Sequence, residues 1–297
     1  MPLLARRAFT LVELSVALVL LGVVAAAIHT TLATSQRVYV AAAQRIDLQQ
    51  NLRAAASVLP AELRQLDAAD GDLSAMSATS LTIRVPRQLG VLCIAPAWGG
   101  GATLSVIVRQ RALFGAPPAF TAGDSLLLYY EGDPATRDDD TWLPGAVTAV
   151  ASEECPDPDE SRPGQRLTLD LGQTDARPSE VDGGIPRGSP VRGFTTATYA
   201  QYPSPTDGQW YLGLEVAGAT IQPLVGPLDG PSGVAFSYYD SSGAVTATPA
   251  AVREIEVYVR GRTARPVRGT SGGLAYAIDS VVTRVALRNN PRCVRCP

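Results

Sequence analysis

Few residues in this chain could do chemistry, and their types and spacing limit what that chemistry is. Glu13 stands inside an apolar run, "FTLVELSVALVLLGVVAAAI", from Phe9 to Ile28, in which only Thr10, Glu13 and Ser15 are polar. An ionisable group at membrane depth is costly in isolation and implies a partner. His29, at the outer end of the run, is the single histidine. A His-Asp-nucleophile triad would need that residue, which the apolar run keeps at the membrane surface. "WGGGAT" at 98–103 is glycine-rich but lacks the Gly-Lys-Ser/Thr ending of a phosphate loop, and it reads as a turn. Two acidic stretches offer oxygen ligands: Glu131, Asp133, Asp138, Asp139 and Asp140 in one, and Glu153, Glu154, Asp157, Asp159 and Glu160 in the other. Neither has the ligand spacing of a calcium loop, so both read as solvated polar loops. No pair of carboxylates is marked as an acid/base couple. The expectation is a protein that is not an enzyme, with no catalytic residue, no metal site and no cofactor.

Four cysteines complete the inventory: Cys93, Cys155, Cys293 and Cys296. Cys-Val-Arg-Cys at 293–296 has the spacing of a redox or zinc half-site, but no second Cys/His pair accompanies it. Four cysteines allow three pairings. An even count beyond a membrane segment favours structural disulfides, Cys93 with Cys155 and Cys293 with Cys296.

Twenty residues of helix span about 30 Å, the hydrocarbon thickness of a bilayer. Arg6 and Arg7 precede the run and should keep the N-terminus cytoplasmic, with everything after Ile28 translocated. Three readings of the segment compete. A secretory signal peptide would explain the basic start and Ala25-Ala26-Ala27, but its apolar core is usually about 7–15 residues. A plain single-span anchor leaves Glu13 unexplained. Removal of a leader, Met1–Ala8, explains it: Phe9 then carries a new α-amino group, and Glu13 lies one helical turn along. In a stack of parallel, staggered helices that carboxylate meets a neighbour's amino terminus, and pairing in a medium of low dielectric is strongly preferred to isolation.

"RRAFTLVELSVALVLLG" resembles the N-terminus of type IV pilins and of the pseudopilins of type II secretion. The resemblance implies cleavage between Ala8 and Phe9 by a prepilin peptidase and N-methylation of Phe9. It also implies assembly with other pilins on an inner-membrane platform. Ala8 departs from the glycine that usually precedes the cut. A second, more degenerate resemblance lies in the last third: "IQPLVGPLDGPSGVAFSYYDSSGAV" and "DSVVTRVALRNN" look like the end of the PilW/pseudopilin J group of minor subunits. It implies a minor pilin or pseudopilin that helps to initiate a filament and sits at its tip. A pilus-tip binding module, either an adhesin or a DNA-uptake pilin, is the alternative, and a membrane-tethered enzyme is a remoter one.

The elements that must carry these residues follow from periodicity. Leu48, Leu52, Ala55, Leu59, Leu63 and Leu66 recur at spacings of three and four, one apolar stripe of a helix that continues past the membrane to about residue 68. Pro60 should kink it near Ala56. Beyond, period-two alternation predicts half-buried antiparallel strands. Leu104, Val106 and Val108 alternate with Ser105, Ile107 and Arg109; Leu167, Leu169 and Leu171 with Arg166, Thr168 and Asp170; Ile255, Val257 and Val259 with Glu254, Glu256 and Tyr258. Val281, Thr283, Val285 and Leu287 form a further set, and residues 234–248 read as a hairpin about Asp240–Gly243. The fold class is therefore α+β, pilin-like: a leader at 1–8, a membrane and filament-core helix at 9–28, its extension at 29–68, and an extracytoplasmic β domain at 69–297. Besides His29 the chain has 25 basic residues, all arginine, and 28 acidic ones. A net charge of -3 with no basic cluster argues against a broad nucleic-acid footprint.

Overall fold

The computed structural model describes residues 10–98, 103–131, 133, 135, 140–156, 162–172, 184–268 and 273–287. One helix, α1, runs from Leu11 to Leu63. At 1.5 Å per residue it is about 80 Å long. Its first part is exposed on all sides, and its first buried residue is Leu48. From there Leu52, Ala55, Leu59 and Leu63 turn the same face inward, each at most 5% exposed. This is the stripe that the spacing predicts, and burying each leucine contributes about 1.5–3 kcal/mol. Pro60 does not end the helix, which continues to Leu63. The helix stops there rather than at 68, and Leu66 closes the core from the turn that follows.

Sixteen strands follow among the described residues. They are β1 (Leu73–Met76), β2 (Ser80–Val91), β3 (Ala97–Trp98), β4 (Thr103–Arg109), β5 (Phe114–Gly115), β6 (Ser125–Tyr130), β7 (Thr141–Cys155) and β8 (Arg162–Asp170). After these come β9 (Pro190–Pro203), β10 (Trp210–Val216), β11 (Gln222–Leu228), β12 (Val234–Tyr239), β13 (Glu254–Arg262), β14 (Val267–Arg268), β15 (Leu274–Ala275) and β16 (Ile278–Ala286). Apart from the small β14–β15 pair, they form one antiparallel sheet. Strand β9 is its spine. Residues 197–203 pair with β10 and residues 191–194 with β6, while residues 190–200 pair with β2.

Two cores result. The first lies between α1 and the face of β11, β13 and β16, over which the helix is laid. Ile255, Val257, Val259 and Val285 fill it from the sheet side. Gly261 leaves room for the helix: a Cβ there would stand 2.8 Å from Leu48 Cδ1, which would have to shift. The second core is all β, with Val106, Leu126, Leu167, Leu169 and Val191 around Phe120.

Two strand expectations are corrected. Ile107, expected on the polar face of β4, is only 7% exposed, because it packs beneath Cys93 and Cys155. The hairpin at 234–248 has its turn but almost no return arm. The Asp240 carboxylate accepts from Ser242 N at 2.8 Å and Ala244 N at 3.1 Å, and the following residues make a single bridge, Tyr239 to Val245. Strand β12 pairs instead along its whole length with β13, which presents six consecutive partners.

Candidate functional site

The N-terminus of α1 is built by its own side chains. Thr10 is the N-cap: its Oγ1 accepts from Glu13 N at 3.2 Å, and the Glu13 carboxylate accepts from Thr10 N at 3.0 Å. This reciprocal capping box satisfies two of the main-chain donors that any helix start leaves open. Glu13 is thus fixed beside the first turn, at the end where a carboxylate also complements the helix dipole. Ala8 and Phe9, the expected cleavage pair, lie outside the described residues. From Leu11 onward the helix is long and apolar enough to cross a membrane, and nothing in the fold covers that part of it. Leu11, Leu18, Leu20 and Leu21 are each at least 60% exposed, which water would not tolerate as a surface. His29 sits on this exposed stretch.

Cys93, just past β2, and Cys155, at the end of β7, form a disulfide with Cα atoms 5.4 Å apart. Both are buried, and the bridge ties two strands that are 62 residues apart in sequence. Cys293 and Cys296 lie outside the described residues, as do Asp138, Asp139, Asp157, Asp159 and Glu160 of the acidic stretches. Of the rest, Glu153 is engaged by Arg166 at 2.8 Å, and among the described residues no three His, Cys, Asp or Glu side chains converge as metal ligands.

At the opposite end of α1 the structure assembles a site that no spacing announces. The turn after the helix is fastened by Asp72, which is fully buried. Its Oδ2 accepts from Asp67 N at 2.9 Å and from Arg192 Nη2 at 2.9 Å. The Arg192 guanidinium lies 5.2 Å from the centre of the Trp142 ring. Burial and the neighbouring Asp70 push the Asp67 carboxyl above the usual aspartate range; burial and Asp72 do the same to Asp70. Nearby, the buried Tyr199 hydroxyl donates to the Glu62 carboxylate, and desolvation together with that bond raises the phenol well above its ordinary value. Between the end of α1 and the sheet an open cleft of about 850 Å³ is lined by Arg64, Arg87, Phe114, Trp142 and Arg192, together with Asp67 and Asp70. These contacts join residues up to 137 positions apart, so no local pattern could reveal them.

A helix apolar enough for a bilayer, capped by a carboxylate at its start and laid at its far end on a large antiparallel sheet, is the α+β architecture of a pilin-like protein. The comparison with families bears on the same segment: residues 3–28 match the family described as the prokaryotic N-terminal methylation motif. The match covers that segment alone, and it supports a type IV pilin-like or pseudopilin-like N-terminus of the kind that prepilin peptidase processes. No curated protein and no solved structure matches the chain.

Proposed function

We propose that this chain is a minor pilin or pseudopilin that takes part in initiating a type IV pilus or a type II secretion pseudopilus, at its tip. The observation that carries the reading is the methylation motif seated at the start of an uncovered apolar helix. The chain is inserted in the inner membrane with its N-terminus cytoplasmic and its β domain outside. Cleavage falls between Ala8 and Phe9, and Phe9 is methylated. In the assembly Glu13 exchanges its local capping contacts for a neighbour's amino terminus. The β domain, roughly residues 70–287, is bulky for a densely packed shaft and fits a tip, where lateral room is free. The likeness of the last third to the PilW/pseudopilin J group supports the minor role. The reading assigns the chain no reaction of its own.

The cleft at the far end of α1 supports a second reading, a tip binding module, because residues at the helix end remote from the membrane segment line it. Arginine and aromatic side chains in one cleft suit a ligand that carries both charge and apolar surface.

The decisive experiment is the intact mass and N-terminus of the membrane-extracted chain, made with and without a prepilin peptidase. Loss of Met1–Ala8 with one methyl added to Phe9, only when the peptidase is present, is the expected result. A new N-terminus near Ile28 means a signal peptide, and an uncut chain in both samples means a plain anchor. Glu13→Gln should leave insertion and cleavage intact and stop incorporation into filaments.

A further inference from the structure

Among the described residues, strand β16 is hydrogen-bonded to β13 and to no other strand. The pairing is nine consecutive residues, from Glu254 with Ala286 to Arg262 with Ile278, without a bulge. The bonds that flank it fix which way its main chain faces. Leu287 N donates to Arg253 O at 3.0 Å, and Thr263 N donates to Ala277 O at 2.9 Å. In an antiparallel ladder hydrogen-bonded pairs alternate, so Asp279, Val281, Thr283 and Val285 turn their main-chain groups toward β13. Ile278, Ser280, Val282, Arg284 and Ala286 turn theirs to the open edge. Ser280 N is taken by its neighbour Asp279. Among the described residues, nothing takes the N–H of Val282, Arg284 or Ala286.

Such an edge is a template for another strand, and native proteins usually guard it with proline, lysine, a bulge or a covering segment. The segment "IDSVVTRVA" has no proline or lysine, and among the described residues it has neither a bulge nor a covering segment. Its one cation, Arg284, is held by Glu256 and Glu254 across the ladder. Four of its residues are β-branched between Val281 and Val285, and Ile278 and Val282 stand exposed beside the edge. The opposite face of β16 is under α1, so the edge is continuous with the helix that the proposed function places among neighbouring helices.

We propose that the open edge of β16 receives an extended segment of a different assembly subunit, which joins the sheet as an added strand. The inference rests on the assembly reading above. Main-chain donors and acceptors at strand spacing specify a strand as the occupant. The orientation of α1 specifies a different chain. Antiparallel pairing of β16 with β16 requires a two-fold axis normal to the sheet. Helix α1 lies flat on that sheet, so the axis would reverse it and send the two membrane segments in opposite directions. Two copies anchored in one membrane cannot pair in this way, whereas a partner strand from another subunit carries no such constraint.

The test uses the full chain, in membranes of cells that make the complete set of pilin-like subunits, with photo-reactive benzoylphenylalanine in place of Ser280. The expected product is an adduct with a second, different processed subunit. Val282→Pro, which removes an N–H that the fold does not use, should cut its yield about ten-fold. Val282→Thr, which keeps that N–H, should leave it unchanged. If Val282→Pro loses protease resistance, Ala286→Pro at the exposed end of the strand serves in its place. An adduct only with another copy, or only with the chain's own residues beyond Leu287, overturns the inference. So does a yield indifferent to proline, or no adduct from a chain that is processed and incorporated. A chain that is never processed overturns the assembly reading first, and the N-terminal mass tells the two failures apart.

Discussion

Replacing Asp72 with alanine should be among the most destabilising single changes in the β domain. The carboxylate is fully buried, and Arg192 is only 14% exposed at its side chain. At 2.9 Å and an effective dielectric of about 20, their mutual attraction is about 6 kcal/mol. Most of that is offset by the cost of taking two ions out of water, so the intact pair contributes little net. Removing one partner is different: the guanidinium stays buried without its counter-charge, and Asp67 N loses its acceptor. The expected cost is about 3–5 kcal/mol for Asp72→Ala. In an Arg192→Met background the same change should cost far less, about 1–2 kcal/mol for the lost turn contact. The assay is guanidinium unfolding of the full chain in detergent, followed by tryptophan fluorescence and by circular dichroism. Trp142, which stacks on Arg192, reports the locality of the change. A cost below about 1 kcal/mol for Asp72→Ala, or the same cost in both backgrounds, would refute the argument.

Leu59→Ala, at a position 1% exposed against β13 and β16, should cost about 2–5 kcal/mol in the same assay, and Leu59→Met less than about 1.5. Replacing both Cys93 and Cys155 with serine opens a crosslink across 62 residues and should cost about 4 kcal/mol by chain entropy; reductant should destabilise the unmutated chain by at least as much and the double variant by far less. The pH dependence carries a definite sign. Asp67 and Asp70 titrate higher folded than unfolded, so between about 4 and their raised values the native state holds the extra protons, and stability falls as pH rises through that window. Asp207 and Asp240, lowered by local hydrogen bonds, act in the opposite sense. The informative quantity is therefore the difference made by Asp70→Asn, which should flatten the fall of the unfolding midpoint above pH 4; an unchanged slope would show that burial of this turn does not penalise the charge.

The parts of this fold that a reader of the sequence can see are those with a period. The stripe from Leu48 to Leu66 is visible because one helical face repeats every three to four residues and every member is leucine or alanine. The alternation at Leu167–Leu171 and at Ile255–Val259 is visible for the same reason at period two. Ile107 misleads because alternation assumes one wet face, and a disulfide covers the other. The return arm after Asp240 misleads because a good turn does not decide which strand a neighbour prefers. Order within the sheet is set by pairings such as β2 with β9, more than a hundred residues apart, and leaves no local trace. Of the candidate sites, Glu13 is legible because charge in an apolar run is conspicuous. The turn of Asp67, Asp70 and Asp72 carries no spacing that marks it, because Arg192, which completes it, stands 120 residues on.

The length of helix left bare has a mechanical meaning. Between Leu11 and Gln44, whose side chain accepts from Arg265 N at 3.2 Å, α1 is free of the described β domain for about 50 Å. A bilayer accounts for about 30 Å of that, which leaves a rigid stalk of about 20 Å between the lipid surface and the folded head. The chain can therefore move along its own axis, out of lipid and into a bundle of like helices, without breaking one contact of the β domain. What opposes that movement is only the loss of lipid around the apolar turns, and a neighbouring apolar helix removes the opposition as it forms. The head travels as cargo on a rod, and the rod alone changes solvent.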